Sequence, residues 1–284
     1  MRRVEHRRGF YHERLTPRGG SGEASRVPGD PTHATYSDPE VVRHYDHSEL
    51  QPAERYLFER YVPDGARVLD LGVGAGRTTP HLAARAARYV GLDYAEAMVE
   101  RARARFPDRE FTHGDATDLS RYGDAEFSVV VFSFNGLGCL PTDELRARCL
   151  REMARVLEPG GALVLSLHNA SCLLFWPDFR GASAPKRVWR AAYAGVASAR
   201  VLRSRLPSLA AWRGAAYVPE VNAGGQKGSQ TIVWAASPPR VRRELDQAGL
   251  TLVERVAPTH PSSPPGVGVP WWYYAAIKPR DARR

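Results

Sequence analysis

A turn of three alternating glycines is the feature of this sequence that could most directly support chemistry. The segment Asp70-Leu71-Gly72-Val73-Gly74-Ala75-Gly76 follows the apolar run Arg67–Leu71, which predicts a strand, and precedes Thr78–Ala87, which predicts a helix. Glycine has no Cβ, so its backbone can adopt angles that strain other residues and can approach a ligand closely. Ligands bind at such strand–turn–helix junctions in open α/β sheets.

The spacing of the glycines discriminates between two kinds of nucleotide site. The fingerprint of dinucleotide-binding folds is GxGxxG. In this chain the third glycine, Gly76, comes one residue early, and Arg77 holds the position where that fingerprint has glycine. The spacing therefore argues against NAD as the ligand.

Asp93 is the first of two carboxylates that could complete a nucleoside site. It follows the second predicted strand, Tyr89–Leu92, about 20 residues after the glycines, where an acid can accept hydrogen bonds from both ribose hydroxyls. The same side chain is placed to cap the helix predicted over Ala95–Phe106, and one residue could do both.

Asp115 is the second carboxylate of this pattern. It lies in Gly114-Asp115-Ala116, directly after the third predicted strand, Glu110–His113. At that position it could accept a hydrogen bond from the exocyclic amine of an adenine. An Asx turn, in which the side chain bonds its own backbone, would explain the residue without a ligand.

Alternating strands and helices must position these residues. After the third strand, the pattern predicts a buried strand at Ser128–Phe134, an amphipathic helix at Thr142–Leu157 ending at Pro159-Gly160-Gly161, and strands at Ala162–Leu167, Thr251–Val256 and Trp271–Ile277. After an irregular stretch, regular structure is expected to return at Thr231–Ala235. Helices are also predicted from Asp38 to Tyr45, over Pro52–Tyr61 and from Ser237 to Ala248. This alternation indicates an α/β fold, a parallel sheet with helices on both faces.

Taken together, these segments resemble the class I S-adenosylmethionine (SAM)-dependent methyltransferase family over roughly Tyr36–Pro279. The resemblance rests on the glycine turn and on the motifs Gly91-Leu92-Asp93, Gly114-Asp115-Ala116 and Leu157-Glu158-Pro159-Gly160-Gly161. Val73 departs from the small or acidic residue that is more frequent there, which leaves the turn intact. The resemblance implies a seven-stranded Rossmann-like sheet, mostly parallel with an antiparallel last strand, and SAM as the cofactor.

The resemblance also implies roles for particular residues. Gly72 and Gly74 would flank the methionine portion of SAM, and Asp70 would orient its ammonium group. Asp93 would hold the ribose and Asp115 the adenine. The expected cofactor-binding set, in which the first two tyrosines form a lid, is Tyr36, Tyr45, Asp70, Gly72, Gly74, Gly76, Asp93, Tyr94, Asp115, Ala116 and Phe134.

Methyl transfer from a sulfonium needs mainly alignment of the nucleophile, to which proximity can contribute ~7–11 kcal/mol. Where the nucleophile must lose a proton, a general base adds ~10²–10⁴-fold. His168, after the fifth strand, is the candidate base, because imidazole can accept a proton near neutral pH. Asn135, after the fourth strand, is the candidate for orienting a polar substrate. The alternatives are a histidine bonded to a neighbouring loop and an ordinary turn residue.

Residues 170–225 interrupt the alternation and predict an inserted substrate cap. Before Glu220, only Asp178 opposes its cations, which are Arg180, Lys186, Arg187, Arg190, Arg200, Arg203, Arg205 and Arg213. This imbalance favours an anionic group on the substrate. The interleaved Trp and Tyr residues could wall an aromatic or sugar pocket. A solvated helix face and core packing are the alternative interpretations.

We therefore expect a methyltransferase that acts on an O or N atom of a small molecule, such as a natural product or a sugar, with anionic or aromatic character. Methylation of RNA is one alternative, although no separate RNA-binding module is visible. A SAM-fold binding protein without catalysis is another. An enzyme at a membrane surface is a third, but arginines are spread around the helical wheel of the cap. Homo-oligomers are left open.

Composition sets the outer limits. The 284 residues, 43% of them hydrophobic with a net charge of +9, fit a globular protein with a full core. Residues 1–34, rich in Arg, Gly and Pro, predict a disordered basic tail before a domain over 35–279 and a short tail at 280–284. No apolar run approaches the ~20 residues that span a bilayer, and Met1-Arg2-Arg3 leads into polar sequence, so we expect a cytoplasmic protein without membrane insertion. No metal or disulfide spacing is seen among the cysteines Cys139, Cys149 and Cys172.

Overall fold

The computed structural model describes residues 35–45, 49–172, 183–205, 214–219, 232–261 and 268–280. The chain divides into two units, Met1–Asp30 and Pro31–Arg284, and all described residues lie in the second. The predicted basic tail at 1–34 lies outside the described residues, as does most of the tail at 280–284.

The described helices and strands follow the predicted alternation. In chain order they are α1 (Pro39–Tyr45), α2 (Pro52–Tyr61), β1 (Ala66–Leu71), α3 (Thr79–Ala83), β2 (Ala86–Asp93), α4 (Glu96–Arg105), β3 (Glu110–His113), β4 (Phe127–Phe132), a 3₁₀ turn (Gly136–Cys139), α5 (Asp143–Val156), β5 (Leu157–Asn169), α6 (Ala184–Arg205), β6 (Ala215–Pro219), β7 (Ile232–Ala236), α7 (Pro238–Gln247), β8 (Thr251–Val256) and β9 (Trp271–Ile277). Several side chains within these elements are not described, and that of Tyr45 is among them.

A central sheet with the strand order β3-β2-β1-β4-β5 organises the domain, and all four neighbouring pairs are parallel. β9 pairs antiparallel with β5, and β8 pairs antiparallel with β9. These seven strands confirm the predicted fold class, including the antiparallel last strand. Because β1 to β5 run in the same direction, their carboxyl ends meet at one edge of the sheet.

Two further strands extend this sheet beyond the seven predicted ones: β6, which lies in the predicted insertion, and β7, which follows it. β6 and β7 pair antiparallel with each other, and β7 joins β5 in parallel at His168 and Asn169. The sheet therefore has nine strands in the described residues. Of the predicted cap at 170–225, the structure describes α6 and β6, with a few flanking residues, and part of the cap is thus sheet.

Three predicted boundaries are wrong. The helix predicted to Ala87 ends at Ala83, because Ala86–Asp93 forms β2 and pairs with β1, which overrides the helix propensity of its alanines. β4 ends at Phe132, two residues before the prediction. β5 begins at Leu157, five residues before the predicted strand, and therefore contains Pro159-Gly160-Gly161, where the preceding helix was predicted to end.

Both faces of the sheet are buried, as parallel strands require. On one face Leu69 and Val130 pack in a cluster with Leu150 of α5. On the other, Val68 and Val129 pack with residues of α2 and α4. Within the part of the chain that the structure describes, no helix is both long and apolar enough to cross a membrane.

Candidate cofactor and acceptor site

The glycine turn between β1 and α3 adopts a backbone that favours glycine at three positions. Gly72, Gly74 and Gly76 have φ values of +60°, +56° and +86°, all in the left-handed region. A Cβ on Gly74 would meet nothing within 4 Å, whereas one on Gly76 would lie 2.6 Å from the ring of Phe106. Gly72 is exposed and Gly74 half-buried, so this stretch of backbone is open at the sheet edge.

Asp93 joins the first loop to the second. Its Oδ2 accepts from the Gly74 N–H at 2.8 Å, and its Oδ1 accepts from the Ala95 N–H at 2.9 Å. Burial raises the pKa of Asp93, and these backbone donors oppose the rise. The carboxylate holds the entry to α4, which is close to the predicted capping role. Backbone donors of Gly74, Tyr94 and Ala95 occupy three of the four lone-pair sites of the carboxylate, which leaves one to accept from a ribose hydroxyl.

The third loop is held beside the second. Asp93 lies opposite His113 in the parallel β2–β3 pair, and the Gly114 N–H donates to the Asp93 carbonyl at 2.9 Å. Asp115 accepts from the Thr117 N–H at 2.7 Å, so the Asx turn considered above is present. The structure therefore brings the glycine turn, Asp93 and Asp115 to the same edge.

Asp70 lies beneath the turn in a buried hydroxyl network. Its Oδ2 accepts from the hydroxyls of Thr78 and Tyr89, at 2.5 and 2.8 Å. Burial raises the pKa of Asp70 to about 6, and the hydroxyl donors partly offset that rise. A carboxylate with this pKa changes charge just below neutral pH.

A buried ion pair beside the turn was not predicted from the sequence. The Arg77 guanidinium donates to both carboxylate oxygens of Glu54, at 2.6 and 2.7 Å, and the two side chains are 6% and 0% exposed. Glu54 also accepts from the Ser133 hydroxyl and from the Gln51 N–H. The pair therefore ties α2 to the glycine turn and to the end of β4.

Two consecutive residues after β4 have an unusual backbone. Phe134 and Asn135 have φ values of 58° and 72°, which non-glycine residues rarely adopt and which cluster at functional sites. The Asn135 N–H donates to the Ser166 hydroxyl at 3.0 Å, and its Oδ1 accepts from the His168 N–H at 3.3 Å. Asn135 is buried, so these contacts give it a positioning role at the end of β5 in addition to any predicted contact with substrate.

Three rings line the carboxyl edge, and we call them the aromatic wall: Phe134, Trp271 and His168. The rings of Phe134 and Trp271 meet edge to face at 6.2 Å, and those of Trp271 and His168 do so at 5.7 Å. The Arg77 guanidinium lies 4.5 Å above the Phe134 ring. Trp271 was predicted only as part of a strand. Its contact arises because the β5–β9 register places it opposite His168.

The remaining predicted residues lie around these loops. Tyr36 is half-buried and packs on a small cluster that includes Ala75 of the glycine turn. The Tyr94 carbonyl lies 3.0 Å from Nε2 of His113. Ala116 is 9% exposed and belongs to the core. The predicted side chain of Tyr45 is outside the described residues.

Comparison with known proteins supports a methyl-transfer fold. Residues 68–161 match the family described as a methyltransferase domain. A demethylmenaquinone methyltransferase of Clavibacter sepedonicus is 43% identical over 104 residues, which cover 36% of this chain and 40% of that protein. An uncharacterized methyltransferase of Synechocystis sp. is 35% identical over 133 residues, which cover 45% and 61%. The chain thus spans between 40% and 61% of the length of these relatives.

A solved structure resembles most of the chain. The 1,6-didemethyltoxoflavin-N1-methyltransferase of Burkholderia thailandensis, with 1,6-didemethyltoxoflavin and S-adenosylhomocysteine bound, has a TM-score of 0.53 and 16% identity, and the match covers 90% of this chain and 92% of that one. The family match over residues 68–161 and the similar folds support a class I SAM-dependent methyltransferase domain, with SAM as its cofactor. The class, the fold and the cofactor predicted from the sequence are confirmed.

The buried ion pair gives a first testable prediction. Glu54→Gln leaves a buried guanidinium without its carboxylate, and we expect the free energy of unfolding to fall by about 3–5 kcal/mol. Urea unfolding of the apoprotein measures this loss. Glu158→Gln is the matched control, because Glu158 pairs with Arg67 at a partly exposed site and should cost at most about 1 kcal/mol. Equal losses of unfolding free energy in the two variants would contradict the prediction that the buried Glu54–Arg77 pair matters more for stability than the exposed one.

Proposed function

We propose that this chain transfers the methyl group of SAM to an O or N atom of a small molecule. The observation that carries the proposal is the junction of three loops at the carboxyl edge. There the Asp93 carboxylate binds the Gly74 N–H and its carbonyl accepts from the Gly114 N–H. The junction places the glycine turn beside the carboxylates of Asp93 and Asp115. This arrangement suits SAM, which joins an amino acid to a nucleoside.

The residues present fit SAM part by part. The open backbone at Gly72 and Gly74 would lie along the methionine chain, with Asp70 below its ammonium group. Asp93 would accept from the ribose hydroxyls and Asp115 from the adenine amine. Tyr36, which packs next to Ala75, would cover the cofactor from the N-terminal side. Further contacts with SAM are proposed for Tyr45, Gly76, Tyr94, Ala116 and Phe134.

SAM, when bound, supplies an already activated methyl group. The chain itself must then align the acceptor and exclude water, and alignment alone can contribute about 7–11 kcal/mol. The aromatic wall borders the edge where the acceptor would lie, and Phe134 keeps 38% of its surface exposed there. A planar or aromatic acceptor would stack on such a wall. The names of two similar proteins, a demethylmenaquinone methyltransferase and a 1,6-didemethyltoxoflavin-N1-methyltransferase, support an aromatic acceptor.

His168 is proposed as the general base for acceptors that must lose a proton. It sits at the end of β5, edge to face with Trp271, and is half-buried. The His168 N–H donates to Oδ1 of Asn135, and this hydrogen bond helps to fix the backbone from which the imidazole projects. A base held this way would take a proton directly from the acceptor atom.

A thermal-shift experiment tests the cofactor site. We expect SAM or S-adenosylhomocysteine at about 100 times its Kd to stabilise the protein by about 2.7 kcal/mol, and NAD to give no shift. Asp93→Ala should abolish the shift. Asp64→Ala, a change at a carboxylate whose side chain is 86% exposed, is the matched control and should retain it. Stabilisation by NAD alone, or an unchanged shift in Asp93→Ala, would rule out the proposed site.

Asp70 predicts a pH dependence of cofactor binding. Its pKa of about 6 means that the carboxylate, which attracts the ammonium group, is progressively protonated as pH falls through 6. If only the ionised form binds well, the affinity for S-adenosylhomocysteine should be about tenfold weaker at pH 5 than at pH 7. Titration calorimetry measures the trend. Asp70→Asn should bind weakly at both pH values, and a wild-type affinity that is flat over this range would contradict the role of Asp70.

His168 can be tested by chemical rescue. With a phenolic or amine acceptor that the wild type methylates, His168→Ala should lower kcat by about 10²–10⁴-fold and leave the Kd for S-adenosylhomocysteine unchanged. Added imidazole should restore part of the rate, which a purely structural histidine would not allow. An unchanged kcat would show that His168 is not the base.

A further inference from the structure

Helix α6 exposes a run of large apolar side chains. Val188, Trp189, Tyr193 and Val196 are 72%, 66%, 59% and 53% exposed. Among the described residues, these are four of the seven large hydrophobic side chains that are exposed. Side chains of this size are normally covered when they occur together, so this surface of α6 is a candidate for contact with a partner.

These four residues share one side of the helix. With about 3.6 residues per turn, positions 188, 189, 193 and 196 fall on one arc of the helix. The rings of Trp189 and Tyr193 stack on that arc, with centroids 5.5 Å apart and planes at 17°. Ala194, which projects from the opposite side, is 6% exposed and marks the side that faces the protein. We call the arc of Val188, Trp189, Tyr193 and Val196 the apolar arc.

The charge of α6 narrows the chemistry of the partner. Its 22 residues include no Asp or Glu, and its cations are Lys186, Arg187, Arg190, Arg200, Arg203 and Arg205. Lys186 is exposed and follows directly on the apolar arc around the helix. In the first turns of α6 the apolar residues share a side of the helix, and Lys186 and Arg190 both lie along one edge of that side, next to Tyr193.

We propose that α6 docks in the plane of an anionic lipid surface. Trp and Tyr rings favour the boundary between headgroups and acyl chains, where one end of the side chain is apolar and the other wet. Basic residues beside them are attracted to anionic headgroups. At about 1.5 Å per residue the helix is about 33 Å long and would lie along the surface. A second copy of this chain fits less well, because a symmetric contact would bring the cations of two α6 helices together.

Vesicle co-sedimentation of the full chain tests the proposal. We expect binding to vesicles with about one-third phosphatidylglycerol, little binding to pure phosphatidylcholine, and weaker binding at about 0.5 M salt. The double variant Trp189→Ala/Tyr193→Ala should bind at least about tenfold more weakly, which corresponds to about 1.4 kcal/mol. Val253→Ala changes an exposed apolar residue on β8 and should bind as the wild type does.

The remaining outcomes are decisive as well. Both replaced rings are largely exposed, so the double variant should keep its Tm and its affinity for S-adenosylhomocysteine. Wild type that ignores anionic vesicles or binds neutral ones equally would overturn the proposal. So would a double variant that binds as tightly as wild type. Sedimentation velocity that shows a dimer lost in the double variant would assign the apolar arc to a second copy instead. Each result is independent of methyl transfer.

Discussion

The hydrogen bond from the Gly74 N–H to the Asp93 carboxylate determines how the first two loops of the sheet meet. A second contact, from the Val73 N–H to the Leu92 carbonyl at 3.1 Å, lies directly beside it. Asp93 is buried, so its charge depends on these backbone donors in place of water. Both loops must keep their register for the carboxylate to stay satisfied. The hydrogen bonds that hold the two loops together therefore also shape the backbone of the proposed cofactor site.

The Glu54–Arg77 ion pair extends this constraint to the N-terminal helices. A bidentate contact between two desolvated groups has a narrow geometry, so α2 must sit where its glutamate meets the arginine after the glycine turn. The Arg77 guanidinium also lies over the ring of Phe134, a residue whose backbone is in the left-handed region. The position of Phe134 in the aromatic wall thus depends on the buried Glu54–Arg77 pair as well as on the strand that precedes it. Stability and site geometry share these residues.

The added strands β6 and β7 meet the site through β5. β7 joins β5 at His168 and Asn169, the same residues from which the proposed base projects. Trp271 reaches His168 from the other neighbour of β5, strand β9. The part of the sheet that departs from the seven-strand pattern therefore borders the proposed acceptor side, while the strands that carry the proposed cofactor contacts keep the pattern.

Local sequence determined the glycine turn, the two carboxylates after β2 and β3, and most strands, because positive φ, alternation and buried β-branched runs act over a few residues. It did not reveal the pairing of Glu54 with Arg77, the contact of Trp271 with His168, or the β6–β7 pair. It also extended the helix after the turn into β2, where pairing with β1 prevailed over helix propensity. Those features join residues from 13 to 103 positions apart. Only the assembled sheet, which fixes the register of strands and buries charges beside one another, decided them.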